Sequence, residues 1–463
     1  MINLEYISGI VLRSNNETVE IRNLIDQIDI YQNINEPIVT GSLILRDTPS
    51  SRISKLFKDG VLGKGEEITF ELKTATSPAS RPPELSLQKY YIYKSTVIPM
   101  NSVGGGNAKQ TIILDFASSY IFLNEFKKIT NFYYDTISNI ASTIAKDYLD
   151  IEIEDLEDTE EKQFIIIPNL SPLQSIMWLT TRAYSSTKNQ NNTINISVNK
   201  NNEIVNNNYV FYEDIEHNFH FRSLGSMFLK EPVIGKIGDD GLFLQLRRQN
   251  NITSYEGSYL VIQHITKPIS PLSNLKNGMY SSSCLTFDLT RKKYAKSTMR
   301  YDELFKKQNH FYDKQLVDPT LDPSLNILNN VYDHPETVLK YHAKSSYLFS
   351  PKENPLNGNT PVNNVEKWSL QRNASMEAMD QEGIDLELRG NVGLQLGDVV
   401  LFNKQKMNSS IPTQFSNEVE NMFTGKYLIT KIKHSLQYNG DNLGFILRTF
   451  LSLRRDCEYA GGI

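Results

Sequence analysis

The chain has 463 residues, 39% of them hydrophobic and 22% charged, with a formal net charge of −5, the balance of an ordinary soluble globular protein with room for roughly two to four domains and no bulk attraction for polyanions. Its longest apolar runs, such as Phe164-Ile165-Ile166-Ile167, fall far short of the ~20 residues a membrane span needs, and Met1-Ile2-Asn3-Leu4-Glu5-Tyr6 lacks the cationic flank and apolar stretch of a secretory leader. The two cysteines, Cys284 and Cys457, offer neither a disulfide framework nor a zinc site and fit a reducing cytoplasm, so the Asn-x-Ser/Thr triplets at Asn16, Asn195, Asn251 and Asn373 read as products of an Asn-rich sequence.

Residues 1–118 read as strands. Ile21, Leu24, Ile25, Ile28 and Ile30 sit among polar residues, and Val39-Thr40-Gly41-Ser42-Leu43-Ile44-Leu45 alternates after a turn at Asn35-Glu36-Pro37. A short helical piece at 51–57 and a Pro- and Ser-rich loop at 75–85 interrupt them. A closed or nearly closed barrel would finish such a meander without exposed edges. Residues 119–230 read as an inserted α+β module. Ile137, Ile140, Ala141, Ile144, Ala145 and Tyr148 fall at helical spacing. Ser171-Pro172-Leu173-Gln174 combines an N-cap Ser, Pro at the first helical position and a capping-box Gln. The Asn-dominated tract 188–208 reads as an exposed excursion, with an edge strand open at Ile194, Ile196 and Val198. A hairpin then runs through Tyr209-Val210-Phe211-Tyr212 and Phe219-His220-Phe221-Arg222.

From 231 to 305 a linker leads into the first strands of a second barrel, with strand signals at Tyr259-Leu260-Val261-Ile262 and Cys284-Leu285-Thr286-Phe287-Asp288-Leu289. Residues 306–366 carry many Pro, Asn and Asp residues with little periodicity, which marks a loop-rich functional insertion or small subdomain. Residues 367–463 hold a helix from about 366 to 382, with Gly383 placed as its stop, and then the second barrel. The fold class expected is therefore α+β, mostly β, with two similar β-barrel modules around an α+β module and a loop-rich insertion.

The end of the chain repeats its beginning. Gly65-Glu66-Glu67-Ile68-Thr69-Phe70, Tyr91-Ile92-Tyr93-Lys94, Gly104-Gly105-Gly106 and Ile112-Ile113-Leu114-Asp115-Phe116 are echoed by Gly397-Asp398-Val399-Val400-Leu401-Phe402, Tyr427-Leu428-Ile429-Thr430-Lys431, Asn439-Gly440-Asp441 and Ile446-Leu447-Arg448-Thr449-Phe450. Each set reads as a strand after a Gly-acid turn, a second strand starting at Tyr, and a Gly-rich turn into a third. The plain alternative is that any two three-stranded meanders look alike. If the likeness is real, each subunit is pseudo-twofold, and three subunits would present six similar modules.

Catalytic patterns are few. Glu213, Asp214, His217 and His220 cluster on the hairpin with metal-ligand residue types but no third ligand of matching strength, so a polar turn with His220 on the solvent side is preferred. His434, beside Lys433 at a strand end, reads as surface. The acidic run Glu152, Glu154, Asp155, Glu157, Asp158, Glu160, Glu161 lacks the calcium-loop pattern and reads as solvated. Gly104-Gly105-Gly106 lacks the Lys-Ser/Thr of a phosphate loop and reads as a hairpin turn. Trp178 and Trp368 have structural readings, near a buried helical stripe and at a helix start. Arg247-Arg248, Arg291-Lys292-Lys293 and Arg454-Arg455 are short basic clusters, not a stripe for base readout. His310, His334 and His342 with Asp313, Asp318 and Asp322 form no recognisable arrangement. No catalytic, cofactor-binding or metal residue is assigned, and no enzyme activity is expected.

In order, these segments resemble the baseplate hub protein of contractile-tailed bacteriophages and, more remotely, the hub part of type VI secretion spike proteins. Asn35-Glu36-Pro37-Ile38-Val39-Thr40-Gly41-Ser42-Leu43-Ile44-Leu45-Arg46-Asp47 is similar to that family's first-barrel strand. Ser171-Pro172-Leu173-Gln174-Ser175-Ile176-Met177-Trp178-Leu179 with the following hairpin resembles its middle module. Gly278-Met279-Tyr280 with Leu285-Thr286-Phe287-Asp288-Leu289, and Gly425-Lys426-Tyr427-Leu428-Ile429-Thr430-Lys431-Ile432-Lys433-His434, resemble its second barrel. The resemblance implies a homotrimer forming a pseudo-hexameric ring in the virion tail baseplate, assembled in the host cytoplasm. Tail tube proteins would lie above it, a spike protein below and baseplate wedge components around, with DNA passing through the lumen without sequence-specific binding. The 188–208 tract and the 306–366 segment depart from compact members, and no β-helical spike repeat follows in the chain. Two other readings stay open: a tail-tip peptidoglycan hydrolase on a hub scaffold, with its chemistry in 306–366, and a secretion-system spike component.

Overall fold

The computed structural model describes residues 7–14, 17–47, 65–73, 84–100, 109–188, 203–233, 242–244, 260–267, 270–289, 292–315, 331–335, 338–344, 365–403, 405–407, 415–419, 423–439 and 444–458. The expected helix at 51–57, the turns at 104–106 and 440–441, the edge strand at 194–198, Arg247-Arg248, Arg291, Asp318 and Asp322 lie outside these residues.

Thirteen strands make one sheet: β1 (Ile7–Ser14), β2 (Glu17–Glu20), β3 (Ile25–Asn33), β4 (Thr40–Asp47), β5 (Glu67–Lys73), β6 (Glu84–Met100), β7 (Lys109–Ala117), β8 (Leu242–Leu244), β9 (Leu260–Lys267), β10 (Glu382–Arg389), β11 (Val399–Asn403), β12 (Gly425–Asn439) and β13 (Gly444–Arg455). Across the sheet they run β2-β1-β5-β6-β7-β4-β3-β12-β11-β8-β9-β10-β13, and β13 pairs back onto β12. The last six strands in that order therefore close on themselves. The first seven form a curled sheet whose β3 edge is paired onto β12, Gln27 opposite Gln437 through Asn33 opposite Lys431.

Period-2 alternation drives this arrangement. In β5, Ile68, Phe70 and Leu72 are buried while Glu67, Thr69 and Glu71 are partly exposed. The rings of Phe70, Tyr90 and Phe116 meet in the first core, Tyr90 and Phe116 with centroids 5.1 Å apart. A second core fills the closed half with Leu386, Leu388, Val400, Phe402, Tyr427 and Leu453.

The two halves share more than a meander. Gly65 and Gly397 open their strands at φ of +92° and +74°, a conformation that costs glycine little. The Ile92 N–H donates to the Glu66 carbonyl at 2.9 Å, and the Ile429 N–H donates to that of Asp398 at 2.9 Å. A bulge follows at the same place in each, between Ile92 and Lys94 and between Ile429 and Lys431. The neighbour order β5-β6-β7-β4-β3 in the first half matches β11-β12-β13-β10-β9 in the second. One correction follows from register. Ile68 lies opposite Tyr90 as Val400 lies opposite Tyr427, so the counterpart of Tyr427 is Tyr90, not Tyr91. Both are fully buried; a one-residue slip would turn the ring to the other face of the sheet.

Between the halves, helix Ile137–Leu149 buries Ile137, Ile140, Ala141, Ile144 and Ala145 and ends at Asp150 in the left-handed region. Helix Pro172–Thr180 starts at the expected box, where Gln174 Oε1 accepts from the Ser171 N–H at 3.4 Å. They pack on the hairpin Tyr209–Glu213/Phe219–Ser223 around a core of their own.

Two placements differ from expectation. Strand Ser281–Asp288 stays outside the thirteen-stranded sheet and pairs with Lys293–Arg300 and Leu339–Lys344, where it buries Cys284 beneath helix Val365–Met379. Of the two expected strands, only Leu260–Lys267 joins the second half. Gly383 is not a helix stop. It lies inside β10, where a Cβ would come 2.3 Å from the Arg454 guanidinium that crosses it.

His434 is likewise no surface residue. It is 1% exposed in mid-β12, with Nδ1 3.1 Å from Thr449 Oγ1 and Nε2 unpartnered. Burial disfavours the imidazolium and pulls its pKa down to about 4. The unfolded group titrates near 6.5, so its contribution to stability is fully present above about pH 6.5 and is lost as pH falls toward 4. Denaturant titrations across that window are expected to lose up to about 1.4 kcal/mol per pH unit from this group. His434→Gln should flatten the slope, and an unchanged slope would refute the assignment.

Candidate assembly surface

The face of the sheet turned away from both cores runs unbroken across the two halves. One transverse row, read from register, is Glu67, Tyr91, Ala117, Thr40, Tyr31, Lys433, Phe450, Glu387 and Gln263, on strands β5-β6-β7-β4-β3-β12-β13-β10-β9. A second is Lys94, Asp115, Ser42, Asp29, Ser435 and Arg448. Strand spacing makes such a row roughly 40 Å long. Where β3 meets β12 the face hollows into a groove of about 550 Å³, whose lining includes Tyr31, Asn33, Lys431, Phe450 and Ile265.

Many of the charges on this face are held in pairs. Lys94 lies 3.5 Å from Asp115, Lys89 2.6 Å and Arg13 3.3 Å from Glu67, Arg46 2.8 Å from Asp26, and Arg454 3.1 Å from Asp385. Arg448 is paired with Glu387. Lys433 reaches Asp29 at 3.0 Å while its ammonium sits 5.3 and 5.7 Å from the ring centres of Tyr31 and Phe450. Burial opposes ionisation of Asp29, but hydrogen bonds from Ser435, Gln27 and Lys433 outweigh it and hold the carboxyl below its usual range.

The hairpin cluster is brought together as a joint between units. Glu213 is buried; its Oε2 accepts from the Val39 N–H at 2.7 Å, and its Oε1 lies 2.7 Å from His217 Nδ1. Val39 precedes β4, so this carboxylate ties the first half of the sheet to the α+β module. Asp214 organises the turn, accepting from the backbone N–H of Glu216 and Asn218 at 2.8 and 2.9 Å and contacting His220 at 3.1 Å. Among the described residues no group of three or more His, Cys, Asp or Glu is placed to hold a metal ion.

The acidic run is only partly solvated. Asp155 pairs with Arg222 at 2.7 Å, and Glu157 accepts from the Ser223 N–H, Ser223 Oγ and Ser226 Oγ at 2.7–2.8 Å. Glu152, Glu154, Asp158 and Glu161 are exposed. In the loop-rich region His310 lies 2.6 Å from Asp456, and His342 is 3.4 Å from Ser369 Oγ.

Two arginines escape sequence reading. Arg182 lies 3.4 Å over the Trp178 ring and 5.3 Å from that of Trp368, joining the α+β module to helix Val365–Met379, and burial lowers its pKa to about 10. Arg455, read in the sequence only as half of a short basic doublet, is fully buried: it donates to both Glu382 oxygens at 3.0 and 2.7 Å and to the Thr424 carbonyl at 2.9 Å.

No protein-family profile matches the sequence, and no curated protein does. Among solved structures the chain is similar to a tail protein from Neisseria meningitidis MC58, at 9% identity over 97% of each chain with a TM-score of 0.49. It is similar to the 43 kDa tail protein of prophage MuSo2 from Shewanella oneidensis, at 10% identity over 96% of this chain and 98% of that one, with a TM-score of 0.49. A component of the Escherichia coli type VI secretion system shares 9% identity over 97% of this chain and 79% of that chain, with a TM-score of 0.39.

Proposed function

We propose that the chain is a structural hub subunit of a phage tail baseplate, three copies of which form a ring of six similar β modules between a sixfold tail tube and a trimeric spike. The observation that carries this reading is the duplication: two sheet halves with the same strand order, the same glycine turn and the same bulge, joined edge to edge. A duplicated module lets a threefold assembly offer a sixfold face, because each subunit supplies two near-equivalent contacts. The order of the resembling segments supports it independently. On this reading the unbroken outward face lines the channel through which DNA passes, the partners are spike, tube and wedge proteins, and the role is geometric, not catalytic.

Mass measurement tests it directly. Purified protein, alone or with a trimeric spike protein, is expected at three times the 53.0 kDa subunit, with six lobes in end-on electron-microscopy averages. A persistent monomer in both conditions, or averages without sixfold character, would overturn the ring.

A further inference from the structure

We infer that the outward face of the joined sheet is charge-compensated so that a polyanion passes over it without being retained, with Glu67, Asp115, Asp385 and Glu387 as the residues that prevent retention. The inference rests on the reading that this face lines a channel for DNA. Its physical basis is the pairing already described: Lys89, Lys94, Arg448 and Arg454 each have one of these carboxylates as an ion-pair partner. Exposed pairs of this kind add little to folding stability, so their accumulation on one face has its main effect on the electrostatic potential. Opposite charges about 3 Å apart form a dipole whose field fades within the Debye length of roughly 8–10 Å. Phosphates moving along the face would meet dipoles instead of a row of free cations. Without the carboxylates, the bases would stand along the same sheet rows, in the arrangement that binds a polyanion by counterion release.

The test compares two variants with the same change in net charge. The face variant carries Glu67→Gln, Asp115→Asn, Asp385→Asn and Glu387→Gln. The control carries Glu152→Gln, Glu154→Gln, Asp158→Asn and Glu161→Gln on exposed positions of the α+β module. Binding to a duplex oligonucleotide is measured by anisotropy from low to physiological salt. The face variant is expected to bind more than tenfold tighter than wild type and control at low salt, with a log K–log salt slope steeper by about 3–4. Equal gains in both variants would overturn the inference, as would wild-type binding that Lys94→Gln and Lys433→Gln abolish. Should the face variant fold poorly, Thr40→Lys, Ser42→Lys and Ser452→Lys add charge to the face with every acid retained, and the same gain is expected. The two proposals separate cleanly: a DNA gain confined to the face in a protein that stays monomeric keeps this inference and removes the ring.

Discussion

Replacing Arg455 by Ala is expected to cost about 3–5 kcal/mol of unfolding free energy, because it strands the buried Glu382 carboxylate. Arg455 sits at one end of the six strands that close on themselves. Its guanidinium joins the start of β10 through Glu382 and the segment before β12 through Thr424, and it lies 4.7 Å from the Tyr427 ring, whose hydroxyl also donates to Glu382 at 3.1 Å. Glu382→Gln keeps the shape but leaves the buried guanidinium without its counter-charge, so its cost should approach that of Arg455→Ala. The double change Glu382→Leu with Arg455→Met should cost less than Arg455→Ala alone, since no unpaired charge remains. Equilibrium urea unfolding of the four proteins checks the order. A loss under about 1 kcal/mol for Arg455→Ala would mean that the pair is hydrated and unimportant.

Phe116→Ala should be comparably severe in the first module, at about 3–5 kcal/mol, through lost burial and the cavity left between Phe70 and Tyr90. The ring also roofs Gly41: a Cβ there would lie 2.3 Å from Phe116 Cζ and 2.6 Å from the Asp29 carbonyl oxygen. Gly41→Ala alone is therefore strongly destabilising. In the Phe116→Ala background its cost should fall but not vanish, because the backbone clash with Asp29 persists. A double-mutant cycle with no coupling between the two sites would refute this packing.

What the amino-acid order disclosed was mainly local. The capping box at Ser171, the apolar stripe from Ile137 to Ala145 and the Gly-acid turns at Gly65 and Gly397 each depend on neighbours a few residues away, and they stand where periodicity placed them. The Tyr91 alignment failed by one residue; with side-chain period two, a single slip inverts which ring is buried. Gly383 looked like a helix stop because the arginine crossing it, Arg454, is 71 residues away in the chain, beyond any local pattern. The same reason hid Arg455 and His434, polar residues whose burial depends on partners on other strands. For the candidate surface, the strands were legible, but the alternation of acid and base across them was not. That pattern follows from register between strands distant in sequence.

The seam between β3 and β12 joins residues 410 positions apart, as in the contact between Gln27 and Gln437. At a translation rate of about 5–20 residues per second, the ribosome leaves the β3 edge without its partner for roughly 20–80 s. During that interval the nascent chain presents an open strand edge, a template for mispairing with another copy. The half of the sheet made first must therefore wait for the half made last, and crowded polysomes would be the place where that delay is felt.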